Sequence, residues 1–188
     1  IKPAPRAENA AVEGMYFGIA LNGAGGARPL DVAGVRGWAP DGESLWVLLD
    51  RNDDSAEAWL EKTFRLPEII RDGMLAEDTR PRALVRDDGV LLIIRAMNQE
   101  DKENPEDMIS LRIWIDANRV ITTRRKDILA IEDVKHLIAQ GQGPKSTGEL
   151  LAMITERVYS RMGPALEALD DCVSISEEHF ALEIEEDL

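Results

Sequence analysis

RALVRDDGVLLIIRAM, residues 82–97, and MISLRIWIDANRVITTR, residues 108–124, decide the fold. Asp88-Gly89 supplies the positive φ angles of a tight two-residue turn, so Arg82 to Arg86 and Val90 to Met97 form an antiparallel hairpin. Met108 to Ile115 alternates apolar and polar, turns through Asp116-Ala117-Asn118, and returns as Arg119 to Arg124, a second hairpin. The polar stretch Asn98 to Asp107 links the two as a loop.

Upstream, Ser44 to Asp50 (SLWVLLD) is an apolar run bounded by Asp41-Gly42 and Arg51-Asn52-Asp53, and reads as a strand. Gly14 to Leu21 suits a first strand, and after the Gly-rich Asn22 to Ala27 loop a short second strand is expected through Leu30 to Val35. Asp54 with Glu57 three residues on has the form of a capping box, opening a helix at Ala58, Trp59 and Leu60. A further helix is expected from Pro67 to Met74, with Pro67 in its first turn. Downstream, Ile131, Val134, Leu137 and Ile138 mark a helix ending at Gly141, and Gly143-Pro144 separates it from a terminal helix. Antiparallel strands with helices grouped between and after them define an α+β layered domain, not the strict alternation of a doubly wound fold.

The 188 residues, 44% hydrophobic and 31% charged, suffice for one compact domain and an extension. One cysteine, Cys172, excludes an internal disulfide framework, and two histidines with one cysteine are too few for the common four-ligand structural zinc motifs. A reducing, cytoplasmic setting is expected. Net charge is −14, and Glu167 to Leu188 carries nine acids with no Lys or Arg. Such a field repels phosphate backbones and anionic lipid, so nucleic acid is not an expected partner. Lys2 and Arg6 before Met15 to Leu21 imitate a secretory signal, but Glu8 and Glu13 occupy what should be a positive flank, and no signal peptide is expected. No window approaches the roughly 20 apolar residues of a membrane span.

Two glycine-rich stretches imitate phosphate loops. In Gly141-Gln142-Gly143-Pro144-Lys145-Ser146-Thr147 a proline takes the place of the glycine before the lysine, the four-residue spacer is missing, and a helix precedes it. A helix-linking loop with Ser146 or Thr147 as N-cap fits better. Ala24-Gly25-Gly26 does not open a helix. His136 reads as a surface or boundary residue of its helix, and no nucleophile, base and acid are placed for catalysis. No enzymatic activity is expected.

Thr147 to Leu188 carries a helical seam of Leu151, Ile154, Val158, Ala165, Leu169, Val173 and Phe180, which Pro164 kinks or restarts. It closes on Glu183, Glu185, Glu186 and Asp187, acids at the negative end of a helix dipole. The chain is therefore expected to be cut inside a longer helix, about 60 Å long at 1.5 Å per residue. Cys172 and His179 lie about 10 Å apart along such a helix and cannot share one zinc ion, whereas His179 and Glu183 can. Asp170, Asp171 and Glu178 complete the candidate metal ligands, better suited to hydrated Mg²⁺ than to a dry cage. The plainer alternative is that these acids are solvated positions on an acidic stalk.

Taken in order, several stretches resemble the amino-terminal domain of CorA-type divalent-cation transporters. They are Trp46-Val47-Leu48-Leu49-Asp50, Trp59-Leu60, Arg80-Pro81-Arg82, Leu92-Ile93-Ile94-Arg95 with Asn98, and Val120-Ile121-Thr122-Thr123-Arg124-Arg125. Glu106-Asp107-Met108-Ile109-Ser110-Leu111-Arg112, and Ile131-Glu132-Asp133-Val134 with Gly141-Gln142-Gly143-Pro144-Lys145, look most like the zinc-transporting branch, ZntB. The resemblance implies an α/β/α sandwich with a largely antiparallel mixed sheet over 1–144, and from 145 to 188 the start of a long stalk helix. That stalk leads to membrane helices outside this chain, in a homopentamer on the cytoplasmic side of a bacterial inner membrane. The implied ion is Zn²⁺ or Mg²⁺, transported or regulatory, with no covalently bound cofactor. The implied role is assembly and cation sensing, divalent cations relieving repulsion between converging acidic helices. The alternative is a soluble scaffold whose acidic coiled-coil helix binds a partner protein.

Overall fold

The computed structural model describes residues 11–77, 80–86, 89–97, 108–163, 166–167 and 170–176. Seven strands form one sheet: β1 (Met15–Leu21), β2 (Ala27–Leu30), β3 (Ser44–Asp50), β4 (Arg82–Arg86), β5 (Gly89–Ala96), β6 (Ile109–Ile115) and β7 (Arg119–Arg124). Their spatial order is β2-β1-β3-β7-β6-β5-β4. Every pairing is antiparallel except β3 with β7, which runs parallel from Leu45↔Arg119 to Asp50↔Arg124. Both predicted hairpins form, with Ile115 opposite Val120 in one and Arg86 opposite Gly89 in the other, but Gly89 is not a turn residue: it opens β5 without a positive φ, so the expected Asp88-Gly89 turn is displaced toward the N-terminus.

The continuous apolar run of β3 has a two-sided purpose. Leu45, Val47 and Leu49 enter one core with Ile121, Trp114, Leu91, the helical segments α1 (Val32–Arg36) and α3 (Glu68–Leu75), and Trp59 and Leu60, which follow α2 (Ser55–Ala58). Trp46 and Leu48 enter the other, against α4 (Leu129–Ala139) and α5 (Thr147–Ser160). The result is the expected helix-sheet-helix layering. On the second face Ile131, Val134, Ile138, Leu150, Ile154 and Val158 are all buried, each contributing about 1.5–3 kcal/mol by its removal from water.

Four other local expectations give way. The second strand lies earlier, at Ala27–Leu30, because the Asp31 carboxylate caps a short helix by accepting from the Gly34 N–H at 2.7 Å. The Asp54 capping box does not form. Asp53 instead accepts from the Ser55 N–H and hydroxyl at 2.8 and 2.5 Å, and Asp54 already has helical dihedrals. After α2 the chain widens into a π-helical turn, Trp59–Thr63, which buries Trp59 and Leu60. Pro67 precedes α3 as its N-cap residue, its extended ψ setting the entry.

The terminal helix is interrupted close to where the sequence places a proline. It is not continuous from Thr147: α5 ends at Ser160, a turn occupies Arg161 and Met162, and helix is seen again at 163, 166–167 and 170–176. The break falls just before Pro164 in the sequence, where the missing donor disfavours an uninterrupted helix. Arg161 is held there by a bidentate pair with Asp133 of α4, at 2.7 Å through both Nε and Nη2. The stretch 177–188 lies outside the described residues.

The two phosphate-loop imitations pack on each other. Gly141 has φ 74° and closes α4 in a Schellman arrangement, with Gln142 N–H donating to Leu137 O and Gly141 N–H to Ile138 O. Gly143 N–H then donates to Gly25 O at 2.7 Å. Ser146 is the N-cap of α5, its hydroxyl accepting from Glu149 N–H at 3.2 Å, while the Glu149 carboxylate accepts from Lys145 N–H at 2.8 Å.

Candidate functional site

The parallel pair β3 and β7 ends at Asp50 and Arg124, and beyond it the chain builds a dense polar junction. Arg51 N–H donates to Arg124 O at 2.9 Å, and Asn52 Nδ2 to Arg125 O at 3.0 Å. The carboxylate of Asp50 accepts from Tyr16 Oη at 2.9 Å and from Asn52 N–H at 2.8 Å. The Arg124 guanidinium sits 4.7 Å from the centre of the Tyr16 ring and pairs with Asp127 at 2.7 Å. Burial and the adjacent Asp50 carboxylate, which accepts the phenol's hydrogen bond, push the Tyr16 phenol up to about 12.

The end of α3 docks into this junction. A helix leaves its last carbonyls without internal partners, and its dipole makes that end negative. Here three consecutive carbonyls are met by side chains from three strand segments. Thr123 Oγ1 donates to Met74 O at 3.0 Å, Arg51 Nε to Leu75 O at 2.9 Å, and Arg112 Nη2 to Ala76 O at 2.7 Å.

Arg112 is 1% exposed, and its Nε has no hydrogen-bond partner. Burial, then the neighbouring Arg51, Arg125 and Arg82 guanidiniums, pull its pKa down to about 10. Beside it a cavity of about 260 Å³ is lined by Arg51, Glu77, Ser110, Arg112, Arg125 and Lys126, among others. A larger cleft of about 770 Å³ opens at the opposite end of the parallel pair, bounded by Trp38, Phe64, Trp114 and Arg119.

Of the sequence-derived metal candidates, Asp170 and Asp171 fall among the described residues. Asp170 and Asp171 are exposed on the helical stretch 170–176, with Cys172 exposed beside them. His179, Glu183 and Glu178 lie outside the described residues. Among the described residues, no group of three or more His, Cys, Asp or Glu is placed to hold a metal ion. His136 is exposed on α4, its Nε2 2.8 Å from Gln140 Nε2, as expected for a surface histidine.

Sequence reasoning missed the arginine junction. The alternation of β6 puts Ser110 and Arg112 on its polar register, which reads as outward, whereas the strand is buried on both faces; Trp114 on that same register was the one hint. The partner of Arg112 is a backbone carbonyl far away in the chain, which composition and spacing do not reveal.

This mixed sheet between helices is shared with solved transporter domains. The crystal structure of the ZntB cytoplasmic domain from Vibrio parahaemolyticus superposes with a TM-score of 0.73 at 26% identity, over 84% of this chain and 62% of that one. The full-length CmaX structure gives a TM-score of 0.80 at 33% identity, over 91% of this chain and 53% of that one. In sequence, the divalent cation transporter CmaX of Pseudomonas aeruginosa is 34% identical over 168 residues, 88% of this chain and 50% of that protein. The architecture is thus that of the non-membrane part of metal-ion transporters. With residues 41–187 matching the family model of the CorA-like Mg²⁺ transporter protein, the chain belongs to that family. It spans about half the length of the curated relative. No described helix is long and apolar enough to cross a membrane.

Proposed function

We propose that this chain is the cytoplasmic domain of a homopentameric divalent-cation transporter, serving assembly and cation-dependent gating, with zinc as the preferred ion over magnesium. The observation that carries the reading is the agreement of the whole layered sheet with the ZntB cytoplasmic domain and with CmaX. The zinc preference rests on the motifs shared with the zinc branch, around Glu106 to Arg112 and Ile131 to Lys145. In the proposed mechanism, acidic helices carrying Asp170 and Asp171 converge around a symmetry axis and repel one another. Divalent cations between subunits relieve that repulsion and bias the packing of the stalks, and so the pore.

The test is uptake by the full reading frame reconstituted in liposomes, with Zn²⁺ and Mg²⁺ compared by entrapped indicator. Saturable Zn²⁺ uptake exceeding that of Mg²⁺ is expected. Uptake of neither ion would overturn the transporter reading and leave the acidic scaffold; Mg²⁺ uptake alone would overturn the zinc preference. Gating is checked separately by Asp170→Asn with Asp171→Asn, which should weaken the dependence of uptake on internal divalent cation while preserving oligomer mass.

A further inference from the structure

The charged side chains lining the cavity beside Arg112 are mostly cationic. The protein carries 36 acids against 22 Lys and Arg, yet among the described residues three arginines, Arg51, Arg112 and Arg125, line this space with a single carboxylate, Glu77; Lys126 on the same wall is already engaged. Capping of α3 accounts for one N–H of Arg112 and one of Arg51. It does not account for Arg112 Nε, which is buried without a partner, nor for Arg125 on the same wall. A buried charged donor left unpaired costs more than a neutral one.

We propose that the cavity bounded by Arg51, Ser110, Arg112 and Arg125 is a binding site for a phosphate-class oxyanion. Guanidinium groups match tetrahedral oxyanions because their N–H donors form a rigid planar fork, and a multiply charged anion gains most where several such forks converge. The Ser110 hydroxyl adds a neutral donor to the wall. About 260 Å³ accommodates one phosphate group with ordered water, while a larger phosphorylated molecule would have to extend outward past the exposed Arg125. Glu77 works against anion binding and sets the affinity. Burial and like charge hold the pKa of Arg112 low, the direction that a bound anion would reverse.

The site is tested on the purified chain by calorimetric titration and thermal shift with inorganic phosphate, in chloride of matched ionic strength. ATP without metal forms a second arm, separating free phosphate from a nucleotide source. Saturable phosphate binding is expected, weakened about tenfold or more in Arg125→Ala and tightened about threefold in Glu77→Gln. Arg125 is exposed, so its replacement leaves the fold intact, and circular dichroism verifies this. A gain of affinity in Glu77→Gln is not produced by a damaged fold. Tighter binding of ATP than of phosphate would assign the site to a nucleotide and support the same chemistry. Equal stabilisation by chloride, or unchanged affinity in both variants, would overturn the proposal.

Discussion

Arg112 and Ala76 are joined by a 2.7 Å hydrogen bond from a guanidinium in the sheet to the carbonyl just past α3. The bond ties a helix end to the face of β6, and it places a charge where only 1% of the residue meets solvent. Two effects compete at this position. Charged hydrogen bonds contribute about 1.5–3 kcal/mol, while withdrawing a guanidinium from water costs several kcal/mol.

That competition fixes the expected response to substitution. Arg112→Ala removes the bond and leaves a cavity, so it should cost about 2–4 kcal/mol in urea denaturation. Arg112→Met fills much of the volume and removes the buried charge, and should cost less than half as much. The measurement belongs in chloride buffer free of phosphate. Equal losses in the two variants would mean that the hydrogen bond outweighs both packing and desolvation.

Thr122 and Trp46 make the second nonlocal polar link. Trp46 Nε1 donates to Thr122 Oγ1 at 3.2 Å, and that hydroxyl donates to Val47 O at 2.8 Å, all within the buried centre of β3 and β7. Thr122→Val keeps the shape and strands the indole N–H, so a loss of about 1–3 kcal/mol is expected. Trp fluorescence during denaturation gives the value. In a Trp46→Phe background the same Thr122→Val change should cost at least about 0.5 kcal/mol less, because the stranded donor is gone.

How much of this was legible follows the range of the interactions. The hairpins, β3, α4 and the Ser146 cap depend on neighbours within a few residues, and SLWVLLD, Gly141 and the turn residues between the paired runs announced them, although Gly89 proved to be the first residue of β5 and not part of the turn. The Asp54 box failed because Ser55 at the next position offered Asp53 two donors at once. α1 was overlooked because its cap, Asp31, follows Pro29 in a stretch that reads as extended. The terminal helix is interrupted by a turn at Arg161 and Met162, near the proline that announced a break, but the Arg161–Asp133 pair that holds this end depends on α4 lying alongside. The arginine junction needed the fold itself, since Met74, Leu75 and Ala76 meet Thr123, Arg51 and Arg112 only once α3 has docked.

The paired glycine loops yield a sharp prediction. Gly25 has φ 96°, and a Cβ there would stand 2.5 Å from Gly141 O and 3.2 Å from Gly143 O. Gly25→Ala therefore combines an unfavourable backbone conformation with overpacking against rigid backbone, for an expected cost of about 2–4 kcal/mol. Gly42, also at positive φ (104°), has nothing within 4 Å of the place an alanine methyl would take, so Gly42→Ala should lose only the conformational part, about 1 kcal/mol. Chemical denaturation of the two variants side by side separates strain from contact. Equal losses would show that the loop-to-loop contact carries no weight.

Tyr16 connects the junction to alkaline pH. Its phenol is pushed up to about 12, chiefly by burial and then by the bond to Asp50. A folded pKa above the unfolded value of 10 means that the folded state holds the proton longer, so this contribution is complete below pH 10 and is lost as pH rises toward 12. Arg112 runs the other way: with its pKa lowered to about 10, the unfolded state holds the proton longer than the folded state above that pH, and stability from this group rises with pH. The two slopes oppose each other in the same window. Removing one should expose the other, so Tyr16→Phe is expected to gain stability relative to the parent between pH 10 and 12, after losing the Asp50 bond at neutral pH. Urea midpoints at neutral pH and at pH 11 test the sign, and the late step of tyrosinate absorbance near 12 should vanish in the variant. A stability difference that stays constant with pH would place the Tyr16 phenol in ordinary contact with solvent and remove it from the junction.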